Sequence, residues 1–495
     1  MRKLFAYIIL IFSFLSVKAD FVINSRLLEA QNFINKLQLE KGRTLIELEK
    51  KENPINSASI FFENYIDLYS ILTSQSVLVY NKLLPNRDIR LNLMSQKKSA
   101  SPYYLYCQAD IHLQWAFAKS QHGDYLSAAL DFRAAYQLLQ KNTILYPNFI
   151  YNNKDLGILK VILGTIPDGY KWIANIAGLS GNFEEGMSLM KNFIAQSANN
   201  QLLPVENQSA RLLYCLLLIN FDKDKLSNWS LTDKFTNDYQ TNLMTNCVRA
   251  FVASKCDMAD EGIKNLLDKP HTKDYVSFYY TDYLLGSMKL NRLDEDASMY
   301  LKRFVSLCPN KSLYQETYTK LAWSYIVKGD TNNYYLYAGL SNKYSENEKK
   351  WLIISSQGDE NKLPNISLLK TRLFTDGGYY YKAEQEILSH GVKKNYSDLE
   401  RTEYYYRLAR IYHGINNYQK AIENYNFVIK MEGQLQVYII PNSHLQLAII
   451  YEKLNYNSLA LTHYKNALKY NNYQYRYGIE QKAKAGISML QKHEK

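Results

Sequence analysis

The sequence predicts an all-α solenoid, a superhelix of stacked helical hairpins. Three observations carry that prediction. Glycine and proline are scarce, 20 and 10 in 495 residues, which disfavours a turn-rich β architecture. The stretch 403–430, EYYYRLARIYHGINNYQKAIENYNFVIK, recurs downstream at one offset of 39 residues, so that Leu408, Ala409, Tyr412, Ala421 and Tyr425 reappear as Leu447, Ala448, Tyr451, Ala460 and Tyr464. Within each copy two alanines stand twelve residues apart, and Ala116 and Ala128 repeat that spacing far upstream. Small and aromatic residues held at fixed places over one period are the mark of a helix–turn–helix repeat.

Close packing explains the pattern. Ala409 belongs to the first helix of its pair and Ala421 to the second. A methyl at each crossing lets two helix backbones approach, while Tyr412 and Tyr425 fill the space alongside. One such hairpin cannot bury its apolar face alone, so hairpins come in arrays. The order leucine, small residue, aromatic, small residue, aromatic in both copies resembles the tetratricopeptide repeat (TPR). The resemblance implies a superhelix whose first helices line a concave face, and a role in holding other proteins.

Taken in order, 1–19 reads as a secretory signal peptide. Arg2 and Lys3 precede an apolar run of fourteen residues, 4–17, and Ala19 stands at a cleavage position. The run is shorter than the about 20 apolar residues that span a bilayer. No cysteine follows it, which excludes a bacterial lipoprotein signal; the expected location is periplasmic or extracellular. Residues 20–100 form an N-terminal helical segment of two or three helices: one over 25–49, one over 60–80, then a polar link over 86–101. Residues 101–200 carry TPR-like repeats, with Ala116 and Ala128 in one unit and Ala174 and Gly186 in the next. The run 156–166 reads as a fully buried helix. Residues 201–360 are helical but degenerate, and 341–366 is the best candidate for a hinge. Residues 361–495 hold the C-terminal array, with Ala383, Ala409, Ala421, Ala448 and Ala460 at crossings. A last helix over 475–495 is expected to cap the array and face water.

Composition narrows the function. The net charge of +12 is interspersed, without an Arg/Lys run, so nucleic acid is not an expected partner. The 44 tyrosines read mainly as packing aromatics that keep a hydroxyl wet. The five cysteines, Cys107, Cys215, Cys247, Cys256 and Cys308, form no metal-binding pattern and read as buried thiols. Only Cys247 and Cys256 lie near enough in sequence for a local bridge. No catalytic, phosphate-binding or dinucleotide motif occurs, and the eight histidines are scattered. No enzyme activity, cofactor or metal is expected.

The expected function is that of an exported scaffold for a protein or peptide partner, its oligomeric state left open. Its concave positions are Glu403, Tyr406, Arg410 and His413 in one unit, and Asn442, Leu445, Ile449, Glu452 and Lys453 in the next. There Tyr406 would stack while Arg410 and Lys453 pair with carboxylates. The alternative is a SusD-like glycan- or nutrient-binding protein that stacks sugars on tyrosines. If 1–19 is a signal peptide, the intact mass of the exported protein begins at or close to Asp20; full-length chain in the membrane fraction is the contrary result.

Overall fold

The computed structural model describes residues 21–96, 101–165, 181–198, 204–221, 224–344, 363–431, 438–471, 473 and 475–493. The expected signal peptide, Ala174 and most of the 341–366 stretch lie outside these residues. Among the described residues there are 23 α-helices and no strand. In chain order they are α1 (Ser25–Asn35), α2 (Leu39–Glu52), α3 (Ala58–Ser74), α4 (Val77–Ser95), α5 (Pro102–Gln121), α6 (Tyr125–Leu145), α7 (Tyr151–Thr165) and α8 (Phe183–Ser197). Then come α9 (Pro204–Phe221), α10 (Lys225–Phe235), α11 (Leu243–Lys255), α12 (Ala259–Leu267), α13 (Tyr280–Arg292), α14 (Ala297–Leu307), α15 (Tyr314–Ile326) and α16 (Thr331–Lys343). The C-terminal part has α17 (Ile366–Asp376), α18 (Tyr380–His390), α19 (Asp398–Gly414), α20 (Tyr418–Lys430), α21 (Ile439–Lys453), α22 (Asn457–Ala467) and α23 (Arg476–His493).

Consecutive helices pair as hairpins, and at most junctions the first helix of one hairpin packs on the first helix of the next. Thus α3 lies on α5, α5 on α7, α9 on α11, α11 on α13, α13 on α15, α17 on α19 and α19 on α21. This is the helical-hairpin solenoid that the repeat pattern predicts. The crossings are where the spacing puts them. Ala116, Ala383, Ala409, Ala421, Ala448 and Ala460 have no exposed surface, and Ala128 has 1%. Gly186 does sit at a crossing, but its partner is Gly157 of α7. A β-carbon on Gly186 would meet the Gly157 carbonyl oxygen at 2.6 Å, so here two backbones touch with no side chain between them.

One turn geometry joins most hairpins. A single left-handed residue sits between the two helices at Leu37, Gly123, Asp257, Leu293, Gly329, Gly378, Asn416 and Asn455. Glycine takes that conformation without cost, and asparagine and aspartate tolerate it. The next residue often caps the second helix: the side chains of Asp124, Asp330 and Asn417 each accept from a backbone N–H in its first turn. Asp257, Leu293 and Gly329 follow one another at steps of 36 residues. The middle of the chain is therefore regular in structure, although its sequence reads as degenerate. Leucine and aspartate hide the turn that glycine marks elsewhere.

The N-terminal segment departs from expectation in two places. The single helix expected over 25–49 is two, broken around Leu37 at φ 65°. The polar link expected over 86–101 is in part helix α4, which tolerates Pro85 in its interior. Its polar residues are not a linker's. Arg90 pairs with buried Asp67 at 2.6 Å, and Arg87 pairs with buried Asp131. Residues 156–165 of that run lie in α7, with Leu159 and Val161 fully buried and Ile162 and Leu163 only partly so; residue 166 lies outside the described residues. The five cysteines are all buried, and no disulfide joins Cys247 to Cys256.

The ends of the array are not free. Helix α1 packs on α9, and so does α23, which also touches α7. Ala485 of α23 joins Val161, Phe183 and Met187 in one apolar cluster. The last helix is thus a closure between the two halves of the chain and not a cap facing water. The first joint is polar: buried Glu206 of α9 accepts from Gln31 of α1 and, at 2.9 Å, from Lys154 of α7. Ala421 of α20 has no exposed surface, and α20 packs on α19. Ala421→Leu is expected to cost roughly 1–3 kcal/mol by overpacking and to lower the melting temperature of the C-terminal array. An unchanged melting curve is the result that would contradict this packing.

Candidate partner-binding face

Of the concave positions expected from the sequence, Arg410, His413 and Lys453 share one wall. Arg410 lies on α19 facing α17, its Nη2 3.6 Å from Asp376 Oδ1. Asp376 also lies 3.6 Å from Arg372 Nε on its own helix. His413 follows on α19, its ring 6.1 Å from that of Tyr418 and 6.3 Å from that of Tyr425. Lys453 ends α21, exposed, with its ammonium 5.5 Å from the centre of the Tyr418 ring. Tyr418 thus stands between His413 and Lys453 and ties two neighbouring repeats.

Tyr406 does not belong to that wall. It has no exposed surface, its hydroxyl accepts from Asn442 at 2.7 Å, and its ring meets Tyr425 and Tyr438 edge to face. Packing of α21 against α19 covers this turn of α19, so Tyr406 fills the seam between repeats and has no face left for a ligand. Glu403 and Leu445 lie in the same seam. Glu403 is 4% exposed and is held at 2.7 Å by the buried Arg407 guanidinium, and Leu445 is 2% exposed. The repeat register is correct, but the covered stripe on the first helix is wider than the alanine positions suggest.

The opposite side of the interior is built by residues that the sequence does not single out. Lys225 opens α10 and donates to both oxygens of Asp257 at 2.7 and 2.8 Å. Asp257, the left-handed turn residue after α11, also accepts from the Tyr380 hydroxyl at 2.8 Å. The ring of Tyr380 fills the space above Gly414, where a β-carbon would come within 2.1 Å of it. Lysine, aspartate, tyrosine and glycine thereby connect α10, α11, α18 and α19. The residues involved are up to 123 positions apart in hydrogen-bonded pairs, and no local motif announces them.

Electrostatics follow from this enclosure. Burial first, and then Lys225, Arg410 and Lys453, depress the His413 imidazole to about 3, so it is neutral at physiological pH. Burial works to raise the Asp376 carboxyl, but Arg410, Arg372, Arg407 and Lys320 together hold it below its ordinary range. Beside the wall, Lys320 holds Glu316 down to about 2. Among the described residues no group of three or more His, Cys, Asp or Glu side chains converges as metal ligands would, and no helix is long and apolar enough to cross a membrane.

The neutral His413 makes stability depend on pH. In the unfolded chain an imidazole takes up a proton near ~6.5, and in the folded chain only near 3. Above ~6.5 neither state is protonated at this site and the folded contribution is intact; it is lost as pH falls from ~6.5 towards 3. His413→Asn removes that term. The melting-temperature advantage of the native chain over the variant should therefore be largest near neutrality and shrink on acidification to pH 4. A gap that is constant with pH would show that His413 protonates freely in the folded state.

No protein-family model matches the chain, and no curated protein sequence matches it. Among solved structures, the TPR domain of P58(IPK) aligns over 85% of this chain and 98% of its own length at 15% identity, with a TM-score of 0.22. Yeast Tom70 aligns over 95% of this chain and 96% of its own length at 9% identity, with a TM-score of 0.24. Scores this low add no argument, and the repeat fold rests on the hairpins, crossings and turns described above.

Proposed function

We propose that the chain is an exported, non-catalytic scaffold that holds a protein or peptide partner along the wall formed by α17, α19 and α21. The observation that carries this reading is that Arg410 and His413, each partly exposed, share one wall with exposed Lys453 on the adjacent repeat. Arg410 keeps 24% of its side chain accessible and faces Asp376 at 3.6 Å, longer than a tight ion pair. A partner carboxylate can compete for that guanidinium, and Lys453 offers a second cation one repeat away. The neutral His413 between them lets an acidic or an apolar side chain approach without a further charge.

The glycan-binding alternative is less well supported by the same wall. Sugar stacking needs open ring faces, and Tyr406 and Tyr425 have no exposed surface. Tyr380 is engaged by Asp257 and Gly414.

Partners are found by pull-down from the exporting cell, with bound proteins and glycans both identified. The informative variant is Lys453→Glu, because Lys453 is exposed and its reversal leaves the core intact. Arg410→Glu is less clean, since it would set a second carboxylate beside Asp376 and lower stability as well as binding. Lys453→Glu should weaken capture of an acidic partner by roughly tenfold, about 1.4 kcal/mol, mostly through a slower on-rate at low salt. Unchanged capture of the identified partner by this variant would move the binding face elsewhere.

A further inference from the structure

The connection between α12 and α13 crosses the chain to reach its N-terminal segment. The backbone N–H of Val276 donates to the Leu37 carbonyl at 3.1 Å, and Lys41 of α2 pairs with Asp274 at 2.8 Å. Beyond the end of α14, the Cys308 thiol donates to Gln75 Oε1 at 3.4 Å, next to the end of α3. In both of these side-chain contacts the partners stand 233 positions apart. Where the two parts meet, the structure leaves a hollow of about 360 Å³, within the range of roughly 300–1,000 Å³ usual for small-molecule sites. Residues of α2, α3 and α4 form one part of its lining, and Val276, Ser277 and Tyr279 form the other. The hollow reaches the surface, since Lys82 and Ser277 on its lining are exposed.

The lining sets the chemistry that fits. Val79, Leu83 and Val276 are half-buried, each packed against the N-terminal apolar core while it lines the hollow. Ser70 and Thr73 stand one helical turn apart on α3. Their hydroxyls donate to the Ile66 and Tyr69 carbonyls of the same helix, both at 2.7 Å, so neither leaves a donor for a ligand to satisfy. An apolar body can lie against such a wall, and displacing water from it is favourable. The charged residues of the lining are of one sign: Arg43 and Lys82 belong to it, and no acidic residue does. Arg43 meets Glu40 through Nε at 3.4 Å, and among the described residues no carboxylate lies within ion-pair distance of Lys82. A guanidinium fork matches the two oxygens of a carboxylate, and a lysine beside it adds a point charge. At about 30 Å³ for each water-sized group, the hollow has room for roughly ten to twelve heavy atoms.

We propose that this hollow binds a small amphipathic carboxylate of the fatty-acid type, with its head at Arg43 and Lys82 and its apolar body against Val79, Leu83 and Val276. The site lies apart from the wall of α17, α19 and α21 and does not depend on it. The probes are sodium octanoate, octanol and octyltrimethylammonium bromide, titrated calorimetrically as monomers into the full chain. Octanoate is expected to bind at a single site, octanol roughly tenfold more weakly, and the cationic probe not measurably. Lys82→Met is expected to weaken octanoate by roughly tenfold and to leave octanol unchanged. Ser277→Trp places an indole into the hollow from its rim and is expected to abolish binding of both. The two positions are exposed, so both variants are expected to fold, and their melting curves check this. Because the ligand touches two distant parts of the chain, octanoate is expected to raise the melting temperature of the native chain and not that of Ser277→Trp. Lys453→Glu leaves octanoate binding unchanged, so this site and the partner-binding wall stand or fall separately. The proposal is overturned by absence of octanoate binding, by equal binding of the three probes, by binding at many equivalent sites, or by indifference of octanoate to either variant.

Discussion

Close approach of two helix backbones at a residue with almost no side chain is the constraint on which this structure depends. Ala409 and Ala421 set the distance within one hairpin, and Ala448 and Ala460 set it in the next. Gly157 and Gly186 take the same device to its limit, with a carbonyl oxygen where a β-carbon would go. Because the backbones are close, the large aromatics are pushed to the flanks. Tyr425 and Tyr464 fill those flanks completely, each with no exposed surface. The tyrosine-rich composition is a consequence of this geometry. A short crossing distance needs long, rigid side chains beside it, and a phenol can bury its ring while its hydroxyl finds a partner, as Tyr464 does with Glu452 at 2.8 Å.

What was legible in the sequence follows from what is local. An offset of 39 residues with five identities is a local signal repeated, and it located the small-residue crossings of both C-terminal hairpins. In the middle of the chain the same turn is made by Asp257 and Leu293, which carry no glycine signature, so the regular array there was unreadable. Tyr406 was misplaced for a related reason. A repeat pattern states which residues meet inside a hairpin, but not how far the next hairpin spreads over its neighbour. The other wall of the interior was invisible in principle. Lys225, Asp257 and Tyr380 meet only because the array curls, and curvature is the sum of small rotations between repeats that no single motif encodes.

Curling also explains why charge on the interior differs in kind from charge on the outer surface. On the outside, an unpaired lysine is solvated by bulk water and screened within about 10 Å at ordinary salt. On the inside, each facing helix removes water from the others and adds its own charges. His413 and Lys482 both register this, one driven far below its ordinary value and the other moderately, and both by burial and by Lys225 and Arg410 among their neighbours. The ion pairs that line the interior, Lys225 with Asp257 and Lys320 with Glu316, show that carboxylates were available where neutrality is required. Helix α23 closes the array on α9 and α7, and on that helix burial first, and then Lys255, Lys225 and Arg410, hold the Lys482 amine down to about 8.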